Sequence, residues 1–465
     1  MNIRTALKIM ATVALAAGVV SCGSGGGTTY VPSSGDSGGG GGVPLTGTFV
    51  VLAWNDLGMH CLNPSYDTTV ILPPYNTVWA QVVKRGNKPE VVTTGLTVEY
   101  RILNNTTSQK GLFTQFWQYA KDLFGATPAI DKGLNLDDPK VSNGLSGTMV
   151  NKGDHFEVHG IPVVPYEDGK TIVPANRNAY QVAEITVKNS VGTVLASTRC
   201  TVPTSDEINC AKCHAPGQGL TATFNDILQK HDNNHRTNLM NSKPVLCAKC
   251  HGSPALGQAG PGTAGKYLSQ AIHSFHANKS APGGTPIACY DCHPGASSLC
   301  NRSAKHTAAD GNCTNTSCHG SIANVGSTIS AGRIPWVSEP GCVTCHSTGS
   351  NGAAIPQVDT GAILYRNAKG HGNLYCAGCH GSPHAMVPST QSTDNYQALQ
   401  YQTVAKSLGS CVASCHEHNN SRGGGSAKFL QEHGNGSSKC GICHTGFTNA
   451  ATTNWPHGYN WKARP

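Results

Sequence analysis

The chain has 465 residues, only 12% of them charged, and a formal net charge of +8. Gly (55) and Pro (26) are abundant, which excludes a helix-rich enzyme of ordinary composition and points to a loop-rich chain. Twenty Cys and 21 His are the outliers, most of them after residue 205, and the length allows two or three domains.

The chain opens on Arg4 and Lys8, then an apolar run from Ile9 to Val20 that ends in Val19-Val20-Ser21-Cys22. So short an apolar core reads as an export signal over 1–21 rather than a membrane span. A Cys directly after small residues resembles the lipobox of bacterial lipoproteins, with Cys22 as the acylated residue. The plainer alternative is a signal peptide with an incidental Cys. Acyl chains anchor a protein to a membrane without spanning it. Gly23 rather than Asp follows, which favours outer-membrane sorting. Residues 22–43 then form the lipidated Cys and a Gly-rich linker with an r.m.s. span of roughly 25 Å.

From 44 to 205 the sequence reads as a mostly-β, sandwich-like domain. β-branched runs lie at 77–83, 96–103, 180–187 and 193–202, the last two joined by a hairpin connection at 188–192. One helix is expected, since apolar residues at 113, 116, 117, 120, 123 and 124 precede Gly125. No metal-ligand cluster stands out in this region, and His155 and His159 read as structural or surface residues.

After 205 strands give way to turns and short helices, and every 24 to 42 residues a Cys pair followed by His recurs. Cys, two residues, Cys, His is the c-type haem attachment signature: two thiols add to the porphyrin vinyl groups and the adjacent His reaches the iron. Six copies fit: Cys210/Cys213/His214, Cys247/Cys250/His251, Cys289/Cys292/His293, Cys342/Cys345/His346, Cys376/Cys379/His380 and Cys440/Cys443/His444. Zinc knuckles and disulfides also use Cys, but neither requires a His directly after the second one. Two stretches have longer spacers, Cys313/Cys318/His319 and Cys411/Cys415/His416. Extra residues can bulge out while both sulfurs still reach, and eight sites leave only Cys22, Cys61, Cys200 and Cys300 unassigned. The region 206–465 is therefore expected to be an octahaem cytochrome domain with eight covalent haems.

Eight irons need a ligand on the opposite side. Ten His remain in this region: His231, His235, His273, His276, His306, His371, His384, His418, His433 and His457. Several stand just upstream of the next motif, as His306 does before Cys313. The pairs His231/His235 and His273/His276 have helical spacing, so each pair could serve two neighbouring haems. Beyond the signal only Met59, Met149, Met240 and Met386 are available, so ligation by two His at all or nearly all irons is expected. Such ligation fills the iron, favours electron transfer and lacks the potential-raising Met ligand. With haems packed at about one per 33 residues, the macrocycles become the core. Haem propionates and irons would bring the mature charge to about −2 oxidised and about −10 reduced, so the basic chain reads as haem compensation rather than a nucleic-acid surface.

These motifs, the lipobox and the His supply make the chain resemble the outer-surface multihaem c-type cytochrome lipoproteins of metal-reducing bacteria. The block "WNDLGMHCLNPSYDTTVILPPYNTVWAQVV" (54–83) is similar to one that precedes the haem region in some of them. The resemblance implies electron export at the cell surface to metal oxides, electrodes or partner cytochromes, with a homopolymer left open because some relatives form filaments. The rival is an octahaem reductase of nitrogen or sulfur oxyanions, which needs one open iron; all eight motifs here end in His. Within "GMHC", His60 and Cys61 could bind a metal or supply a distal ligand. Alternatively, Cys61 pairs with Cys200 in a disulfide worth roughly 4–5 kcal/mol, leaving Cys300 odd.

Overall fold

A computed structural model of the chain describes residues 47–86, 89–306, 312–316, 318–339, 364–402, 405–408 and 443. Outside the described residues lie the signal-like segment, Cys22 and the linker. So do Cys342, Cys345, His346, Cys411, Cys415, His416, Cys440 and His444, together with His418, His433 and His457. Of the last motif, Cys443 alone is described.

The described residues up to Ser205 build two sheets. One joins β1 (Phe49–Trp54), β4 (Thr77–Lys84), β9 (Phe156–His159) and β8 (Val150–Asn151), with β5 (Glu90–Val91) also on β4. The other runs β2 (His60–Cys61), β11 (Val194–Ser205), β10 (Tyr180–Asn189), β6 (Leu96–Ile102) and β7 (Ser146–Thr148). β10 and β11 form the expected antiparallel hairpin. Val51, Val78, Ala80 and Val82 of the first sheet share one buried core with Val98, Ile102, Ile185 and Val202 of the second. That is face-to-face sheet packing of the expected kind. The expected helix forms as α1 (Gln115–Phe124) after a 3₁₀ turn at Gly111–Thr114, and it stops at Gly125, whose φ of 73° only glycine adopts readily.

β1 is buried on both faces. Its odd residues enter the shared core, while Val50, Leu52 and Trp54 pack on Leu374, Tyr375, Ala377 and Tyr401. A strand covered twice loses apolar–polar alternation. That is why "FVVLAW" gives no period in the sequence. Its neighbours on the outer face come from α5 (Cys376–His380), the two residues before it, and α6 (Tyr396–Gln402). From α6, Gln397 accepts from Ala53 N–H at 2.9 Å and Tyr401 donates to the Val51 carbonyl at 2.6 Å. These side chains occupy backbone groups that an edge strand would otherwise expose.

Other Cys-rich segments dock on the sheets in the same way. β12 (Val245–Leu246) pairs in parallel with β3 (Thr69–Val70), placing Leu246 and Ala248 against Phe116 and Leu123. The Glu207 carboxylate accepts from the backbone N–H groups of Ala296, Ser297 and Ser298. Arg302 is buried in an ion pair with Asp394 at 2.8 Å and donates to the Gly58 carbonyl at 2.8 Å. The short helices expected in this region are α2 (Leu220–His235), α3 (Leu268–His276) and α4 (Ile322–Ser330), besides α5 and α6.

One expectation fails. Cys61 lies level with Ser205 in the β2–β11 register, whereas Cys200 sits five residues back along β11, opposite Ala183 and inside the core. At about 3.3 Å per residue that offset is about 16 Å, beyond the roughly 7 Å that a disulfide spans. Both residues are free thiols, and burial, reinforced by the nearby half-buried Cys300, pushes the Cys61 thiol up. Ser205 bonds Ser298 at 2.8 Å and Gly58 bonds Arg302, so hydrogen bonds on either side bring the Cys300 segment to Cys61.

Asp394→Ala leaves the Arg302 guanidinium buried without its counter-charge. Urea unfolding followed by far-UV circular dichroism is expected to show a loss of about 3–5 kcal/mol. A loss below about 1 kcal/mol would contradict the role given to this pair.

Candidate haem-ligand sites

Five of the eight motifs lie within the described residues, apart from Ser317 in the fourth. In the first three a single tight turn sets the geometry. The carbonyl of the first Cys accepts from the N–H of the second Cys and of the His: Cys210 from Cys213 and His214, Cys247 from Cys250 and His251, Cys289 from Cys292 and His293. The turn brings the His back beside the first Cys, and its second Cys is exposed in each case. The long-spacer motif keeps the same turn with a different residue at its head. Asn315 O accepts from Cys318 N at 2.9 Å and His319 N at 3.1 Å. The two extra residues are thus absorbed upstream, where Asn312–Thr314 form a 3₁₀ turn that carries Cys313. In the sixth motif, in chain order, Cys376–His380 forms one turn of helix.

Cys379 and Cys443, both expected as haem thiols, depart from the exposed placement of Cys213, Cys250, Cys292 and Cys318. Each is half-buried and packs on the cluster that covers the outer face of β1. The Cys443 carbonyl accepts from the Gly86 N–H at 3.0 Å, which ties this motif to the end of β4. The physical reason is the apolar face of β1, which needs cover, and a Cys side chain packs there as a small hydrophobe. Cys443 thus meets the β region, and Cys440 and His444 lie outside the described residues.

Four motif imidazoles face a second imidazole. His214 lies 6.4 Å from His276, His251 6.3 Å from His231, His293 6.0 Å from His273 and His319 6.2 Å from His384, centre to centre. Two metal–nitrogen bonds of about 2.0–2.1 Å, plus about 1.1 Å from each nitrogen to its ring centre, require about 6.2–6.4 Å. The residues therefore fit a metal held between two imidazoles. The first two pairs cross at 76° and 79°, and the other two are near parallel at 18° and 16°. As the helical spacing suggests, α3 serves two motifs, sending His273 to His293 and His276 to His214. On α2, His231 takes His251 and His235 lies beside His231, with 4.8 Å between ring centres.

Hydrogen bonds select the nitrogen. Nδ1 is occupied in His214 by Asp226 (2.8 Å), in His231 by Thr237 (2.9 Å) and in His251 by the Lys266 carbonyl (3.2 Å). Carbonyls of Ser269, Ile272 and Leu57 occupy Nδ1 of His273, His276 and His384 at 2.7, 2.8 and 3.2 Å. With Nδ1 engaged, Nε2 is the atom presented to a metal, the arrangement that outer partners of a ligating His impose. Burial, reinforced by His384, pushes the His319 pKa down to about 4. Burial also lowers the pKa values of His231, His273, His293 and His384. In these five rings burial favours the neutral form, the form that binds metals.

The upstream rule fails at the fourth motif. The ring facing His319 is His384, from far along the chain, while His306 bonds Ser303 through Nδ1 at 3.3 Å. His380 bonds Ser407 through Nδ1 at 2.9 Å. His371 lies in a 3₁₀ turn, and its side chain is outside the described residues.

The block at 54–61 supplies what the sequence did not show. Leu57 holds His384, the Asn55 N–H donates to Ser382 at 3.2 Å, and Gly58 lies so close to Pro383 that an added Cβ would stand 1.6 Å from its carbonyl oxygen. Gly58 also has a φ of 82°, so the glycine is required twice over. His60 itself points its Nε2 at Asp56, at 3.1 Å, within the β region. Among the described residues, the one group of three or more potential metal donors that converge is Asp137, Glu157 and His159, and no motif Cys belongs to it. The motifs thus do not assemble as zinc knuckles among the described residues. The sequence matches no protein-family model and no curated protein.

Gly58→Ala is expected to cost at least about 2 kcal/mol in urea unfolding, from strain at positive φ and displacement of Pro383. A change below about 0.5 kcal/mol would mean that the close approach is not needed.

Proposed function

We propose that the chain is an octahaem c-type cytochrome that carries electrons at the outer cell surface, without substrate chemistry of its own. One observation carries this reading furthest: four motif imidazoles each face a second imidazole at the separation that a shared metal requires. Two His at a site would leave a haem iron no open position, and that suits electron transfer rather than substrate binding.

The protein's part is to hold and orient. Cys pairs fix each site by two covalent bonds, and the adjacent His supplies the near ligand. His276, His231, His273 and His384 supply the far ligand at the first four motifs. Leu57 and the Ile272 and Ser269 carbonyls aim three of these rings. The paired helix His on α3 ties the first and third sites into one rigid element, which keeps their spacing fixed. No helix of the described residues is long and apolar enough to cross a membrane. Membrane attachment is proposed to run through Cys22 and the Gly-rich linker. The acceptors this arrangement suits are metal oxides, electrodes or other multihaem cytochromes, and a homopolymer of the chain is compatible with it.

Two measurements test the reading together. Intact-mass analysis should return eight haems per chain, and a peptide spanning 311–321 without covalent haem would lower the count. In His384→Ala, one haem in eight should turn from low spin to high spin in the visible spectrum, while His306→Ala leaves all eight low spin. The reverse pattern would overturn the ligand assignment, and a haem-free chain would overturn the function.

A further inference from the structure

A second group of potential metal ligands lies away from the motifs, at the end of β9. Glu157 and His159 are two residues apart on this strand and face the same way. The loop before β7 brings Asp137 to them. It can come close because Gly160, at a φ of 73°, has no Cβ; one built there would stand 1.9 Å from the Leu134 carbonyl oxygen. Asn143 fixes the same approach by donating to the His159 carbonyl at 2.7 Å.

The imidazole of His159 has a carboxylate at each nitrogen, Asp137 at 3.1 Å from Nδ1 and Glu157 at 3.2 Å from Nε2. When the ring is neutral it has one N–H, so one of these contacts sets lone pair against lone pair, and the carboxylates favour either a second proton on the ring or a bound cation. The contact at Nε2 is buried and lacks hydrogen-bond alignment. Tyr75 adds a hydroxyl at 3.3 Å from Nδ1. His155 bonds the same Glu157 oxygen at 3.3 Å and Asp154 at 2.6 Å, and Lys152 takes the other Glu157 oxygen at 2.7 Å. Charge does not balance here. Among the described residues, Asp56, Asp137, Asp154 and Glu157 are ion-paired with Lys152 and Lys369 as fixed cations, leaving two negative charges in excess when the His are neutral.

We propose that Asp137, Glu157 and His159 bind one divalent first-row transition cation of the zinc class. One donor atom from each residue lies within 4.8 Å of the other two. The oxygen, oxygen and nitrogen donors suit such an ion, and a charge of two offsets the excess. Lys152 and His155 hold Glu157 in place, so little of the site must be ordered on binding. The cation pins the loop carrying Asp137 to β9. This site is independent of the haems, since none of its residues belongs to a Cys-His motif.

The test uses the full haem-loaded protein, stripped with a chelator and dialysed against zinc chloride, with zinc and iron counted per chain by mass spectrometry. Asp137→Asn is the informative variant because that side chain, at 56% exposed, is the least buried of the three. Asp138→Asn, its neighbour, is the control. Wild type and Asp138→Asn should each retain one zinc more than Asp137→Asn, with iron unchanged in all three. Equal zinc in the three proteins, or no zinc retained by wild type, would overturn the site. Iron content reports the haem reading separately, so failure of one is not mistaken for failure of the other.

Discussion

A metal held by two imidazoles fixes their ligating nitrogens about 4 Å apart on opposite sides of one point. Meeting that demand in a loop-rich chain takes more than placing His residues nearby. Each ring must also be prevented from rotating, and for six of the eight paired rings the restraint is a hydrogen bond at Nδ1. The supporting acceptors have three origins: helix carbonyls one turn back for His273 and His276, side chains such as Asp226 for His214, and for His384 a carbonyl from the β region. The His of the β region differ in kind. His60 and His155 turn Nε2 toward carboxylates, as His159 does, and on the last of these the Glu157 carboxylate outweighs burial and raises the pKa.

The sheets make such restraint possible. Among the described residues, regular structure after 205 consists of short helices and one two-residue strand, too little to hold ring positions by itself. The sandwich gives these segments a surface to register against. α6 caps the edges of β1 and β11, β12 adds to β3, and Glu207 gathers three N–H groups before Cys300. Cys443 belongs to the same set, bonded to Gly86 and packed over β1. The 54–61 block is the most consequential of these contacts. It joins Arg302 on one side and His384 on the other, so two distant Cys-rich segments meet over one tight stretch of backbone.

Much of this is legible in the sequence, for identifiable reasons. Strands with one exposed face keep their alternation, and α1 keeps its period and its terminal Gly125. Helical spacing correctly groups His273 with His276 and His231 with His235. β1 is hidden because both faces are buried, and so is the half-buried setting of Cys379 and Cys443, which cover one of those faces. The Cys61–Cys200 disulfide follows from end-to-end closure of the region, but strand register separates the two by five residues. The upstream pattern favours His306 for His319, yet proximity in sequence does not decide which ring crosses a site. The metal-like group at His159 escapes notice because its third member, Asp137, arrives on an irregular loop through a glycine contact. None of these outcomes has a local signature, since each depends on which segments dock together.

The central proposal is that pairs of imidazoles in this chain would hold haem irons from both sides, as the four described pairs suggest. Electron paramagnetic resonance of the fully oxidised protein tests it most directly. The account predicts low-spin iron alone, with two families of signals, one from the crossed pairs at His214 and His251 and one from the near-parallel pairs at His293 and His319. A high-spin signal equivalent to one iron or more per chain would contradict it.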